Sequence, residues 1–235
     1  MSFKTKLGKL SNKVTMFTSD PKGTKESPAR TCADLKAYNP DINSGYYYID
    51  PNRGCKEDAI LVHCNFTEVD DMERVITCVE PKMKQTVPQR HWATEIKSNS
   101  ADKYFIEDHN LGEIEYTAEW SQMKYLGLLN NDAYQNVTIQ CINRAVWFDQ
   151  KTRGFESAMK FRGLKDQVFE KTKEDGKFTP TVIRDDCSYQ TNKLAETVLE
   201  LNSHKYIRLP ITDFATAAGS KASIFGLELG PVCFY

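Results

Sequence analysis

Ser44-Gly45-Tyr46-Tyr47-Tyr48-Ile49-Asp50-Pro51-Asn52-Arg53-Gly54-Cys55 carries two signals in succession. The aromatic and β-branched run at 46–49 suits a pleated, half-buried surface and predicts a strand. Pro51, Asn52 and Gly54 end it, because proline lacks an N–H donor and asparagine and glycine favour turns. After Lys56-Glu57-Asp58 a second strand pattern begins at 59–64. The segment therefore reads as strand, acidic loop, strand. Within the loop, oxygen-bearing side chains alternate with other residues and a glycine permits a sharp turn, as at the start of a calcium loop. It is not an EF-hand, since the twelfth position, where a bidentate carboxylate belongs, is Leu61. Two readings stay open: a hard cation gathered by Asp50, Asn52 and Asp58 with one or two backbone carbonyls, or an Asx-type turn with solvated carboxylates.

Outward from this point the same texture continues. Short runs at 75–79, 124–129, 137–142, 145–148, 179–183, 197–201 and 224–229 are rich in β-branched or aromatic residues and bounded by Gly, Asn, Asp or Pro. Helical periodicity is scarce, and 155–161 and 192–195 are ambiguous. These patterns predict a β-rich α+β domain over residues 32–235. Residues 1–20 differ: Phe3, Leu7, Leu10, Val14 and Phe17 are spaced 4, 3, 4, 3, a heptad seam that predicts a short coiled-coil stalk. Pro21 and Gly23 stop that helix, and residues 21–31 read as a linker.

Composition narrows the function. With 235 residues, 40% hydrophobic and 11% aromatic, the chain can bury a core without staples. Its 31 basic and 32 acidic residues give a net charge of -1, so no global basic field attracts nucleic acid. The longest aliphatic run, 59–62, is far short of the roughly 20 residues of a membrane helix. Neither nucleic acid nor membrane is an expected partner. Only 12 glycines exclude a Gly-X-Y triple helix within this chain.

The seven cysteines, 32, 55, 64, 78, 141, 187 and 233, lie nine or more residues apart, so none forms a C-x-x-C pair. The four histidines make no H-E-x-x-H, and there is no Walker loop, dinucleotide fingerprint or nucleophile elbow. No enzymatic chemistry is expected. Spread cysteines suit either a disulfide framework or buried free thiols. Two sequons, Asn65-Phe66-Thr67 and Asn136-Val137-Thr138, add weight to secretion and make Asn65 and Asn136 candidate glycosylation sites.

Three further stretches, read beside the opening one, become recognisable together: Ser27-Pro28-Ala29-Arg30-Thr31-Cys32-Ala33-Asp34-Leu35, Tyr134-Gln135-Asn136-Val137-Thr138-Ile139-Gln140-Cys141 with Ala145-Val146-Trp147-Phe148-Asp149, and Gly230-Pro231-Val232-Cys233-Phe234. In order and spacing they closely resemble the C-terminal propeptide of fibrillar procollagens. The resemblance implies a non-catalytic, noncollagenous module that brings three chains together in the endoplasmic reticulum, nucleates triple-helix growth and then reaches the extracellular matrix. It implies a flower-shaped trimer with a stalk, a base and petals, and places the secretory signal far upstream in a longer precursor. Its partners would be two further procollagen chains, with procollagen C-proteinase and chaperones of the endoplasmic reticulum.

The family's calcium loop maps onto Asp50, Asn52 and Asp58 side chains and the backbone oxygens of Arg53 and Cys55, making Ca²⁺ the expected ion. By the family pattern, disulfides join Cys32 to Cys64, Cys78 to Cys233 and Cys141 to Cys187. Chain choice in the family maps to about residues 154–166, with Phe155, Met159, Phe161, Arg162 and Lys165 mixing apolar anchors and charges. One departure stands out. The cysteine expected six residues after Cys32 is Tyr38, so Cys55 is an interchain or free thiol without its usual partner in an identical subunit. A reciprocal ring of interchain disulfides is thereby excluded for a homotrimer. The competing class is an extracellular, calcium-dependent recognition domain of fibrinogen-like type, sharing strands, disulfides and an acidic loop but needing neither the stalk nor the bracketing motifs.

Overall fold

In the computed structural model, which describes residues 20–53, 55–69, 72–82, 104–105, 114–172, 176–205, 207–216 and 223–235, the opening stretch forms a strand and a turn. The described residues fall into two compact units, one up to Thr77 together with Trp120–Leu126, the other from Cys78 onward without that helical segment. The expected heptad seam at 1–20 lies outside the described residues, apart from Asp20.

The first unit begins with α1 (Cys32–Tyr38). Thr31 caps it, its hydroxyl accepting the Asp34 amide at 2.9 Å, and Cys32 and Leu35 face inward. Strand β1 (Gly45–Ile49) runs antiparallel to β2 (Ile60–Val69), with Tyr47 opposite Val62 and Ile49 opposite Ile60. Strand β3 (Met72–Val79) follows β2 in the sheet order. The disulfide Cys32–Cys64 fastens α1 to β2.

Within the expected linker, residues 21–31, Gly23 and Ala29 pair with β1. Ala29 is buried and bridges Ile49, donating to Tyr48 O at 3.2 Å and accepting from the Asp50 amide at 2.7 Å. Gly23 accepts from the Tyr48 amide at 2.8 Å with φ +70°, and a Cβ there would meet the Tyr47 ring at 2.8 Å. Only glycine combines that backbone with that contact. Proline and glycine here shape a packed segment instead of releasing it.

In the second unit, β4 (Tyr104–Phe105) precedes α2 (Trp120–Leu129), whose first residues belong to the first unit. Next comes β5 (Asp132–Ile142), the partner of both β9 (Ala195–His204) and β11 (Ile224–Phe234). The edge strand β8 (Thr181–Asp185) extends the order to β11-β5-β9-β8. Burial alternates along β5: Ala133, Gln135, Val137, Ile139 and Cys141 point inward, with Val137 between Leu199 and Leu229. Period-two alternation is the physical signature of a strand with one buried face. A second sheet orders β4, β10 (Asp213–Thr216), β6 (Lys160–Arg162) and β7 (Val168–Phe169). Disulfides Cys78–Cys233 and Cys141–Cys187 lie within this unit.

Two expected strands take other forms. Residues 124–129 belong to α2, which buries Gln122, Met123 and Leu126 at helical spacing and leaves Leu128 exposed. That stretch contains no β-branched residue, and its apolar side chains fit one helix face better than a pleat. Residues 145–148 form a buried bend: Val146 and Trp147 are inside, and Val146 O accepts the Met159 amide at 2.9 Å. The Asp149 carboxylate accepts the Lys151 amide at 2.8 Å and turns the chain immediately afterwards. The result is a β-rich globular fold with two short helices and three disulfides among the described residues.

Candidate functional site: the acidic loop and its surroundings

The loop between β1 and β2 brings its oxygens together by local turns. Asp50 O accepts the Arg53 amide at 3.2 Å, and Arg53 adopts φ +52°. A 3-10 turn over Lys56–Asp58 follows, with Cys55 O accepting the Asp58 amide at 3.1 Å. Asn52 Nδ2 donates to Asp58 Oδ2 at 2.9 Å, so both side chains face each other across the turn. Asp50 is only 4% exposed.

Two carboxylates this close resist joint ionisation. Burial pushes the Asp50 carboxyl above the ordinary carboxylate range, and the neighbouring Asp58 charge pushes it further. Hydrogen bonds from Gln122 and the backbone of Arg53 and Cys55 oppose the shift without cancelling it. Gln122, on α2, sends Nε2 to Asp58 O at 3.0 Å and to Asp50 Oδ1 at 3.4 Å. Its Oε1 is buried with no hydrogen-bond partner among the described residues. A concentrated negative charge, oxygen donors and an orphaned buried oxygen fit a hard cation. Gln122 lies two residues before the strand pattern at 124–129 and falls in no expected element; its place beside Met123 and Leu126 on a buried face is visible only in the fold.

Cys55 is exposed and free, and its Sγ donates to the Glu57 carboxylate. That bond is the first cause raising its thiol pKa above the ordinary value. Tyr38, at the end of α1, is 61% exposed. The other six cysteines are joined as Cys32–Cys64, Cys78–Cys233 and Cys141–Cys187. Asn136 is exposed on β5, whereas Asn65 is half-buried on β2 and accepts from the Ser44 hydroxyl at 3.3 Å.

The stretch 154–166 divides between core and surface. Met159 and Phe161 are fully buried, so neither can touch another chain directly. Phe155 is partly exposed, packs edge-on against Trp147 with centroids 6.1 Å apart, and carries Lys171 Nζ 5.1 Å from its ring centroid. Arg162 lies 3.5 Å from Asp213, and Lys165 is exposed with φ +55°. Phe155 and Lys165 thus lie at the surface, whereas Arg162 is half-buried against Asp213.

Comparison with known proteins places these features in context. A family model described as the fibrillar collagen C-terminal domain matches residues 1–234. The chain is 36% identical over 237 residues to the collagen alpha-1(II) chain of Gallus gallus, covering 97% of this chain and 26% of that protein. It is 37% identical over 237 residues to the collagen alpha-1(II) chain of Xenopus tropicalis, covering 97% and 15%. Identity to the collagen alpha-1(I) chain of Gallus gallus is 36% over 242 residues, covering 98% and 16%. The chain spans at most 26% of the length of these relatives.

Proposed function

Because the chain belongs to the fibrillar collagen C-terminal domain family, which is non-catalytic, we propose that it is the trimerising module of a procollagen chain. The observation that carries this reading is the family match across residues 1–234. Its partners are two further procollagen chains, which it selects and registers in the endoplasmic reticulum so that a triple helix can start. Collagen homology and three disulfides point to a secreted extracellular protein. Phe155, Arg162 and Lys165 supply the surface part of chain choice. Asn136, exposed on β5, is the stronger glycosylation candidate, and Asn65 the weaker.

Calcium belongs to the same reading. Asp50, Asn52 and Asp58 side chains, with the backbone oxygens of Arg53 and Cys55, would hold Ca²⁺. The ion would neutralise the paired carboxylates and stiffen the loop. Its binding favours the folded state that contains the site.

Sedimentation equilibrium at micromolar chain concentration, in calcium and in chelator, tests the proposal. A trimer mass and a calcium-dependent rise in Tm are expected. The double variant Asp50→Ala, Asp58→Ala should lose the rise. A monomer under every condition would overturn the assembly reading, and an unchanged rise in the double variant would place the ion elsewhere.

A further inference from the structure

Gln122 occupies a place where packing alone would select leucine or methionine. It is 0% exposed, on the inward face of α2 beside Met123 and Leu126. An amide there must be desolvated, and half of it is left unsatisfied: Nε2 reaches Asp58 O and Asp50 Oδ1, while Oε1 has no partner among the described residues. A buried acceptor without a donor is destabilising, so packing does not explain its presence. The nitrogen end does have a task. It ties Asp50 and Asp58, which lie 72 and 64 positions away in sequence, to one helix.

We propose that Gln122 is a positioning residue of the cation loop, its amide orienting the Asp50 carboxylate and the Asp58 carbonyl and so setting the loop's affinity for calcium. The inference rests on the cation reading above. In the ion-free chain the amide donor offsets part of the negative charge on Asp50. A hydrated cation held by the loop would offer Oε1 the proton donor that it otherwise lacks. Partners one shell out from a metal typically change its affinity about 10–100-fold when removed.

Calcium titration calorimetry and melting with and without calcium, on the full chain, test this in the wild type, Gln122→Leu, Gln122→Glu and Asp50→Ala. Gln122→Leu keeps volume and removes both polar ends; its calcium Kd is expected to rise about tenfold or more. Gln122→Glu keeps shape, loses the donor and adds charge beside Asp50. It should melt below the wild type in chelator and recover most of that loss in calcium, so that its calcium-dependent rise exceeds the wild type's. Should Gln122→Leu fail to fold, Gln122→Glu carries the measurement alone. A merely structural glutamine would shift Tm equally with and without calcium and leave Kd within twofold, overturning this inference while Asp50→Ala still abolishes binding. A wild type that binds no calcium, or an Asp50→Ala chain that binds as well as the wild type, would remove the cation reading and this inference with it.

Discussion

Thr197 Oγ1 donates to Asp185 Oδ1 at 2.7 Å and the Phe148 amide to Oδ2 at 3.2 Å, yet the Asp185 carboxyl keeps its proton to a higher pH than a free one. Burial is the largest cause and outweighs both bonds. Folding therefore takes up a proton between the ordinary carboxylate value of about 4 and the raised one. Asp185's contribution to stability falls as pH rises through that window, because there it binds more proton in the native state than in the unfolded chain. Asp185→Asn cannot ionise and should flatten this part of the curve, measured by urea unfolding between about pH 4 and 7. Parallel curves for both chains would assign the slope to another group. A second consequence concerns sulfur. A disulfide needs Cβ atoms about 3.5–4.5 Å apart, and Tyr38 offers Cys55 no sulfur. A homotrimer of this chain should run as a monomer on non-reducing denaturing gels, with one alkylatable thiol per chain. Tyr38→Cys should install the partner and yield covalent trimers. A disulfide-linked trimer from the unaltered chain would show that one of the three internal bonds forms between chains instead.

Among the elements, Gly163 shows how a single hydrogen atom permits a close approach. It sits between β6 and β7 and accepts no side chain: a Cβ would lie 2.2 Å from Arg208 O, where Leu164 N already donates at 2.6 Å. Gly163→Ala should cost about 1–3 kcal/mol, the usual range for forcing atoms into a packed site. Urea unfolding at neutral pH reads this directly, and a change below about 0.5 kcal/mol would mean the Arg208 segment yields freely. Legibility in the sequence followed the same logic of locality. β1, β5, β9 and β11 were readable because alternation or β-branched density is a property of adjacent residues. The bend at 145–148 reads as a strand, since burial on all sides produces the same apolar run. The seven residues of α1 give too little period to see in the sequence, although Thr31 is a good N-cap. Asp50, Asn52 and Asp58 stood out within nine residues of one another. Gln122 did not, because only folding brings it to them from so far along the chain.

For the whole molecule, the three internal cross-links differ most in how far apart their ends lie in sequence: 32 residues for Cys32–Cys64, 46 for Cys141–Cys187 and 155 for Cys78–Cys233. On a ribosome moving at about 5–20 residues per second, Cys64 follows Cys32 within several seconds, whereas Cys78 waits roughly 8–30 s for Cys233. During that interval Cys78 emerges as a thiol beside newer cysteines, and β5 lacks the neighbour β11 that will cover one of its edges. Wrong pairings of Cys78 with Cys141 or Cys187 are the natural hazard, so an isomerase active on nascent chains should speed maturation. Pulse-labelling with rapid thiol alkylation should capture species that already hold Cys32–Cys64 and still expose Cys78. If Cys78–Cys233 instead closes as early as the other two, translation does not set the order in which this domain becomes competent to meet its neighbours.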